Sequence, residues 1–328
     1  MKKLLAVLLS LAMLVSFVAC GNDSTSTGSV HLVSIDAEHA DALIARSPYY
    51  AKDVITKDVY GTESDAETVA IAAMILVSDN ASEDAVYKFI STIFDNKDAL
   101  KEQHGKAEAL DLTFASSVTS VPFHPGAAKY FAENGIEVKS SGKSGNDDLS
   151  NASFVTGGES GTYYAYGTVL AQYISANTNM NITAKSSGGS KANIEDISYG
   201  DAQLGFSQSD VMAYAYSGTS LFDEKVEGYS VVAALYMEQV QIVTVNNDIN
   251  TVADLKDKTV SVGAAGSGTY FNAVDCLEAY GLDIEKDIKP VYQSFGDSAE
   301  SLKDGKIDAA FIVAGAPTAA ITDLAATK

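Results

Sequence analysis

The sequence predicts an α/β protein of two lobes, each a Rossmann-like layer of strands and helices, joined by a hinge. The first observation behind this is an internal repeat: residues 154–210 and 261–317 lie over one another without a gap. They match at Val155/Val262, Ser160-Gly161-Thr162-Tyr163/Ser267-Gly268-Thr269-Tyr270, Leu170/Leu277, Tyr173/Tyr280, Ser187/Ser294, Gly189/Gly296, Ala192/Ala299 and Asp201-Ala202/Asp308-Ala309, and self-similarity over such a length marks a duplicated structural unit. The second is the pattern inside each copy: an apolar β run, a Ser-Gly-Thr-Tyr turn, a helix, a second strand, a second helix and a third strand. The third is size, because 328 residues is the ordinary length of two domains that each bury a core. Two such lobes facing one another enclose a cleft with a helix N-terminus entering from each side. That geometry suits a small anion with an acidic group at each end.

The chain opens with Lys2 and Lys3, then an apolar run from Leu4 to Leu9 and from Leu11 to Ala19, ending at Cys20-Gly21. This is the layout of a secretory signal, and a small residue before a cysteine marks lipid attachment at Cys20. It resembles a bacterial lipoprotein signal with Phe17-Val18-Ala19-Cys20 as the lipobox, although Phe17 stands where an aliphatic residue is usual. A membrane-spanning helix is the weaker reading, since about 20 apolar residues are needed to cross a bilayer. Residues 21–29 form a polar tether, and Lys139 to Ser150 is a second polar stretch in mid-chain.

Between the two polar stretches, 30–62 reads as a strand and a short helix, and 67–78 as a buried strand. Ser82 caps a helix reaching Asn96, with Val86, Phe89, Ile90, Ile93 and Phe94 at helical spacing and Glu83 and Asp84 in the favourable first turn. Val121-Pro122-Phe123-His124-Pro125-Gly126 is a rigid turn before a helix ending at Gly135.

The formal net charge is −21, and more negative still once the leader's two lysines are removed. Such a surface repels nucleic acid and anionic headgroups, so neither is an expected partner. The two cysteines, Cys20 and Cys276, cannot pair in one lipidated chain, and Cys276 sits in an apolar helical pattern as a core residue. His31, His39, His104 and His124 have no metal-type spacing, so no metal site and no cofactor is expected.

The chemistry concentrates where strands run into glycine turns. Phe154-Val155-Thr156 leads through Gly157-Gly158 to the turn Ser160-Gly161-Thr162 and a helix from Tyr163 to Ser175. Copy two repeats this from Thr259 to Gly263, through Gly266, Ser267, Gly268 and Thr269, to a helix from Tyr270. Free amides and the positive end of the helix dipole make such a terminus an anion site, and glycine lets the ligand come close. Serine at a helix start is often only a cap; retention of Ser-Gly-Thr-Tyr in both copies favours ligand contact. Other cleft positions follow at the carboxyl ends of strands: Ser187, Gly188, Gln208 and Ser209 in copy one, with Ser294, Gly315 and Ala316 as the copy-two equivalents. Among the tyrosines, Tyr163 and Tyr270 are the better cleft candidates, Tyr236 lies beside the hinge, and of Tyr163, Tyr164 and Tyr166 at least one packs in the core. Arg46 is the only arginine, so backbone amides and hydroxyls, in place of a guanidinium clamp, must carry most of an anion's charge.

Catalysis is disfavoured. Gly158-Glu159-Ser160-Gly161-Thr162 lacks the final glycine of a nucleophile elbow, and no histidine is near either turn in sequence. Gly263-Ala264-Ala265-Gly266-Ser267-Gly268 is neither a dinucleotide fingerprint nor, without a following lysine, a P-loop.

Several segments together resemble the TAXI class of solute-binding proteins that serve tripartite (TRAP) transporters. They are Gly157-Gly158-Glu159-Ser160-Gly161-Thr162-Tyr163-Tyr164, Ser187-Gly188-Gly189-Ser190, Gly205-Phe206-Ser207-Gln208-Ser209-Asp210, Ala234-Leu235-Tyr236, Gly263 to Thr269, and Val121 to Gly126. The resemblance covers nearly all of 30–328 and implies a periplasmic-binding-protein-like (type II) clamshell. It implies a solute of the glutamate, glutamine or 2-oxoglutarate (dicarboxylate) kind, a membrane permease as partner, and a monomer held outside the cytoplasm by its lipid anchor, in the periplasm or on the outer face of the membrane. The order of the pieces departs from the family: the part like 151–328 comes first there and the part like 30–137 follows, so this chain looks circularly permuted. Lobe 1 is then 63–245, including the linker 139–150, and lobe 2 is 30–62 with 246–328, with crossings near Gly61 and at Val240 to Val245. Ligand binding to one lobe, followed by recruitment of the other helix terminus, closes the hinge. A sensor module delivering occupancy to a membrane kinase uses the same clamshell.

Overall fold

The structure is a computed structural model, and it describes residues 29–327; the signal sequence, Cys20 and all of the tether but Ser29 lie outside these. In chain order the elements are β1 (His31–Val33), α1 (Ala37–Arg46), β2 (Ala51–Ile55), β3 (Ala66–Ser78), α2 (Glu83–Phe94), α3 (Lys97–Lys101), α4 (Leu112–Ala115) and α5 (Pro125–Glu133). Copy one follows as β4 (Ala152–Val155), α6 (Thr162–Asn177), β5 (Ile182–Lys185), α7 (Ser190–Tyr199) and β6 (Leu204–Gln208). After α8 (Ser209–Ser217) and β7 (Tyr229–Thr244), copy two is β8 (Thr259–Ser261), α9 (Gly268–Ala279), β9 (Lys289–Val291), α10 (Phe295–Lys303) and β10 (Ala309–Ala314), closed by α11 (Ala319–Thr327). The two copies thus match element for element, as the repeat predicts. Among the described residues no helix is long and apolar enough to cross a membrane.

The strands form one sheet in the order β5-β4-β6-β3-β7-β10-β8-β9, with β1 on β7 and β2 on β3. Within each copy the three strands are parallel, and parallel neighbours need helical crossovers, which α6, α7, α9 and α10 supply. Copy one joins β3 and copy two joins β7, both antiparallel. At the centre β3 and β7 pair antiparallel from Ala70↔Gln239 to Ser78↔Tyr229. The arrangement is two-lobed: equivalent three-stranded flanks hang on opposite sides of one long hairpin-like pair. Both central strands are nearly continuous apolar runs because both faces are covered.

The apolar cores divide along these same two strands. Ala72 to Val77 and Val231 to Tyr236 pack with copy one, α2 and α5, whereas Val69, Ile71, Val240 and Ile242 pack with copy two and α1. On the other face of the second half, Val30, Val243, Ile312, Ile321 and Leu324 form a further cluster. The change of core therefore falls between Ile71 and Ala72 and between Tyr236 and Val240. This shifts the expected crossings at Gly61 and at Val240 to Val245, since the start of β3 and the end of β7 belong to the core of the second half.

The helix expected after Ser82 is α2, and the Ser82 hydroxyl accepts the Ala85 N–H at 3.2 Å. Val86, Phe89, Ile90 and Ile93 are fully buried. Pro125 stands in the first turn of α5, and buried His124 caps it by accepting the Gly126 N–H at 3.2 Å. The mid-chain polar stretch is no free tether. Ser82 N–H donates to the Asp147 carbonyl at 2.7 Å, Asp147 N–H to Asn80 at 2.9 Å, and Ser141 N–H to Phe123 at 2.7 Å, while Leu149 is fully buried. Its polar side chains face solvent, and its backbone does the docking.

Gly126 marks the closest approach of α5 to α2. A Cβ there would overlap the Glu83 carbonyl oxygen and lie 2.7 Å from the Tyr87 nitrogen, backbone atoms that cannot yield cheaply. Gly126→Ala is expected to destabilise the fold by about 1–3 kcal/mol through overpacking, read as a lower urea midpoint with an unchanged slope.

Candidate functional site

The Ser-Gly-Thr-Tyr turns of the two copies meet in the wall of one cavity. In copy one Gly161 is the N-cap of α6, its N–H donating to Gly158 at 2.9 Å. In copy two Ser267 is the N-cap of α9 and accepts the Tyr270 N–H at 3.3 Å. The approach to α9 needs glycine: Gly263 has φ +88°, and a Cβ on it would stand 2.6 Å from the Ser267 hydroxyl. A third helix start, at α7, adds Gly189 and Ser190 to the wall.

The halves also bond directly. The Lys191 and Ala192 N–H groups, in the first turn of α7, donate to the Gly266 carbonyl at 3.1 and 3.2 Å. The Thr162 hydroxyl donates to the Gly315 carbonyl at 3.0 Å. At one edge, buried Asp210 at the start of α8 accepts from the Asn272 amide of α9 at 3.0 Å, which also donates to the Tyr50 hydroxyl at 2.8 Å. Tyr50 in turn donates to Asp275 at 3.0 Å.

One carboxylate faces the cavity. Glu238, 2% exposed, accepts the Tyr163 hydroxyl at 2.8 Å, and the Tyr163 ring stacks on Phe206 at 4.6 Å. Burial pushes the Glu238 carboxyl up to about 8, with Asp210 adding to the rise, while the Tyr163 hydroxyl, Lys106 and the Gln208 amide pull the other way. Burial likewise pushes Asp210 up to about 7, the Val211 N–H opposing it. Gln208 is buried beside Glu238, its N–H donating to Ser190 Oγ at 3.1 Å, and its Oε1 has no partner.

Of the residues singled out from sequence, Gly158, Gly161, Thr162, Tyr163, Ser187, Gly188, Gln208, Ser267, Gly268 and Thr269 line this cavity together, and so does Ser294. The structure places the others elsewhere. Ser160 lines an adjoining outer recess with Glu159, Ser186 and Gly296, because the helix starts one residue later than a serine cap requires. Ser209 is buried as the first residue of α8. Tyr236 is buried beneath Lys106, 5.5 Å from ring centre to Nζ, and beside Tyr166. Tyr270 turns away to meet Tyr292. Gly315 is occupied by Thr162 and crowded by Lys106. Arg46 is spent on Glu278 at 2.6 Å, far down α9 from the turn.

Glu238 was missed by sequence reading, along with Ser190, Phe295 and Val313. A signal for Glu238 existed: it is the sole charged residue in the sixteen of β7, and a lone charge inside a buried strand calls for a partner.

A model of the NMT1-like family matches residues 3–135 and 154–328. Among solved structures, the chain is similar to the alkanesulfonate-binding protein SsuA of Xanthomonas axonopodis pv. citri bound to MOPS, at 20% identity and TM-score 0.34 over 49% of this chain and 54% of that one. It is also similar to the periplasmic aliphatic sulphonate binding protein SsuA of Escherichia coli, at 19% identity and TM-score 0.30 over 49% and 53%. A third likeness is to NikA of Brucella suis in complex with Fe(III)-EDTA, at 15% identity and TM-score 0.27 over 58% and 40%. The matched stretch spans about half the length of the two sulfonate-binding chains.

Asp210 and Glu238 have carboxyls raised by burial, so between their ordinary and raised values the native state binds more protons than the unfolded chain. Their contribution to stability is whole below about pH 4 and is lost as pH rises through about 7 to 8. The melting temperature followed from about pH 5 to 8 is expected to carry this falling component, and Asp210→Asn, a mimic of the protonated acid, to flatten it. An unchanged slope in the variant would mean that Asp210 does not titrate on folding.

Proposed function

The chain belongs to the NMT1-like family, and on that footing we propose that it is a solute-binding protein that holds a small organic anion between its two repeat copies and performs no catalysis. The observation that carries this reading is the convergence of the α6 and α9 starts on one cavity. Amides at each start, the hydroxyls of Thr162, Ser267 and Thr269, and the positive ends of two dipoles supply what a carboxylate needs. With Arg46 engaged elsewhere, these groups do the work a guanidinium does in other carboxylate sites. The solute is of the glutamate, glutamine, 2-oxoglutarate or short dicarboxylate kind. Capture closes the halves about the β3–β7 pair, and the closed face is read by a TRAP-type permease, with the protein tethered outside the cytoplasm by lipid on Cys20.

A circularly permuted order fits the same reading. Val30 shares an apolar cluster with Ala320, Ile321 and Leu324, so the start and end of the folded chain are neighbours, as permutation requires. The family match is interrupted between 135 and 154, where the docked polar stretch runs.

Thermal shift and calorimetry on protein lacking residues 1–20, against these acids and neutral amino acids, test the proposal. Ser267→Ala is expected to weaken binding by about 1–3 kcal/mol, and Ser160→Ala, in the outer recess, by much less. Equal affinities for wild type and Ser267→Ala would remove the α9 start from the site. A rearranged chain joining Lys328 to Val30 and beginning near residue 151 is expected to fold and bind alike; failure to fold would refute the permutation.

A further inference from the structure

We propose that Glu238 is the seat of a ligand ammonium group, so that the cavity takes an α-amino acid as its zwitterion and rejects the 2-oxo acid of the same skeleton. This rests on the solute-binding reading above and narrows it.

Two features of the cavity wall are of opposite character. Around the α6 and α9 starts it offers N–H and O–H donors, the right surroundings for a carboxylate. Where β7 and the end of β6 meet it offers acceptors: Glu238, which already takes the Tyr163 hydroxyl and has the Gln208 amide beside it, and Gln208 Oε1, buried without a partner. Among the lining residues there is no lysine, arginine or histidine to answer Glu238. Lys106, outside the lining, donates to the Ala316 carbonyl at 2.7 Å and acts on Glu238 only through its charge.

An ammonium has three donors and no acceptor, enough for both of these acceptors. A keto oxygen has only lone pairs: it can accept the single O–H of a protonated Glu238, but it offers Gln208 Oε1 nothing and leaves that buried acceptor stranded. Sites that hydrogen-bond a ligand N–H discriminate strongly against the analogue lacking it, because their own buried groups are then stranded. A second ligand carboxylate in this position would meet Glu238 with like charge or need a shared proton.

The charged and titratable groups facing Glu238 are Tyr163, Tyr236, Asp210 and Lys106. Both tyrosines are held neutral by burial, and Asp210 opposes ionisation of Glu238 whereas Lys106 favours it. Burial favours the protonated form of the unoccupied carboxyl. An arriving ammonium stabilises the carboxylate, and the displaced proton passes to the buffer.

The experiment is calorimetry of the full chain at pH 7, in two buffers of different ionisation enthalpy, with matched pairs: glutamate and 2-oxoglutarate, leucine and its 2-oxo acid, alanine and pyruvate. The expected result is that within the pair that binds, the amino acid is held at least about tenfold more tightly and releases about one proton. Glu238→Gln should weaken the amino acid about ten- to a hundredfold, narrow or reverse its advantage over the 2-oxo acid and abolish the proton release. Equal affinity within the pair, or no proton release from wild type, overturns the ammonium assignment while leaving the solute-binding reading intact. No binding of any pair overturns both. Should Glu238→Gln fail to fold, the wild-type affinities and proton counts still decide.

Discussion

Everything in this molecule hangs on the antiparallel pairing of β3 with β7. Each strand is buried on both faces, each hydrogen-bonds to one repeat copy on its outer edge, and each changes core midway along its length. The pairing therefore decides three things together. It sets the two copies face to face, it makes the link between them backbone instead of side chain, and it carries Glu238 to the floor of the cavity. Alternation of side chains along a strand gives the last of these its geometry: Tyr236 and Glu238 share a face, and a slip of one residue would send both to the other side.

Much of this was legible in the sequence, and the part that was legible had a common cause. A duplicated unit shows itself by identity at a fixed spacing, so strands, helices and glycine turns of both copies were readable in register, and most turn residues named from it do converge. What was not legible depended on contacts between segments far apart in sequence. Tyr270 and Tyr163 occupy equivalent places in the repeat, yet one packs on Tyr292 and the other donates to Glu238, a difference that identity at a fixed spacing cannot show. Ser160 and Ser267 diverge similarly: one caps its helix and the other leaves that role to Gly161. The polar composition of 139–150 suggested slack chain, but composition reports on side chains, and this stretch is fixed by backbone hydrogen bonds.

The charge economy of the cavity follows from what the chain lacks. With a single arginine, committed to Glu278, the wall would hold the negative charge of the proposed anion on dipoles. Dipoles fixed in a sheet and helix scaffold reorganise little when a ligand arrives, and water excluded by the two halves strengthens them. The same dryness makes Glu238 costly to ionise unless something cationic comes with the ligand.

In the proposed binding role, the bonds from α7 to the Gly266 carbonyl bear on what a membrane partner would encounter. They join the two halves without passing through any cargo, so they lower the free energy of the shut arrangement whether or not a solute is inside. A receptor with such a latch spends part of its time shut and empty. Its affinity would be raised by that pre-organisation, but its discrimination between full and empty would be lowered. A partner that recognised only the shut outline would then be offered vacant receptors, and the fidelity of delivery would rest on the small energy gap between a latch alone and a latch with cargo.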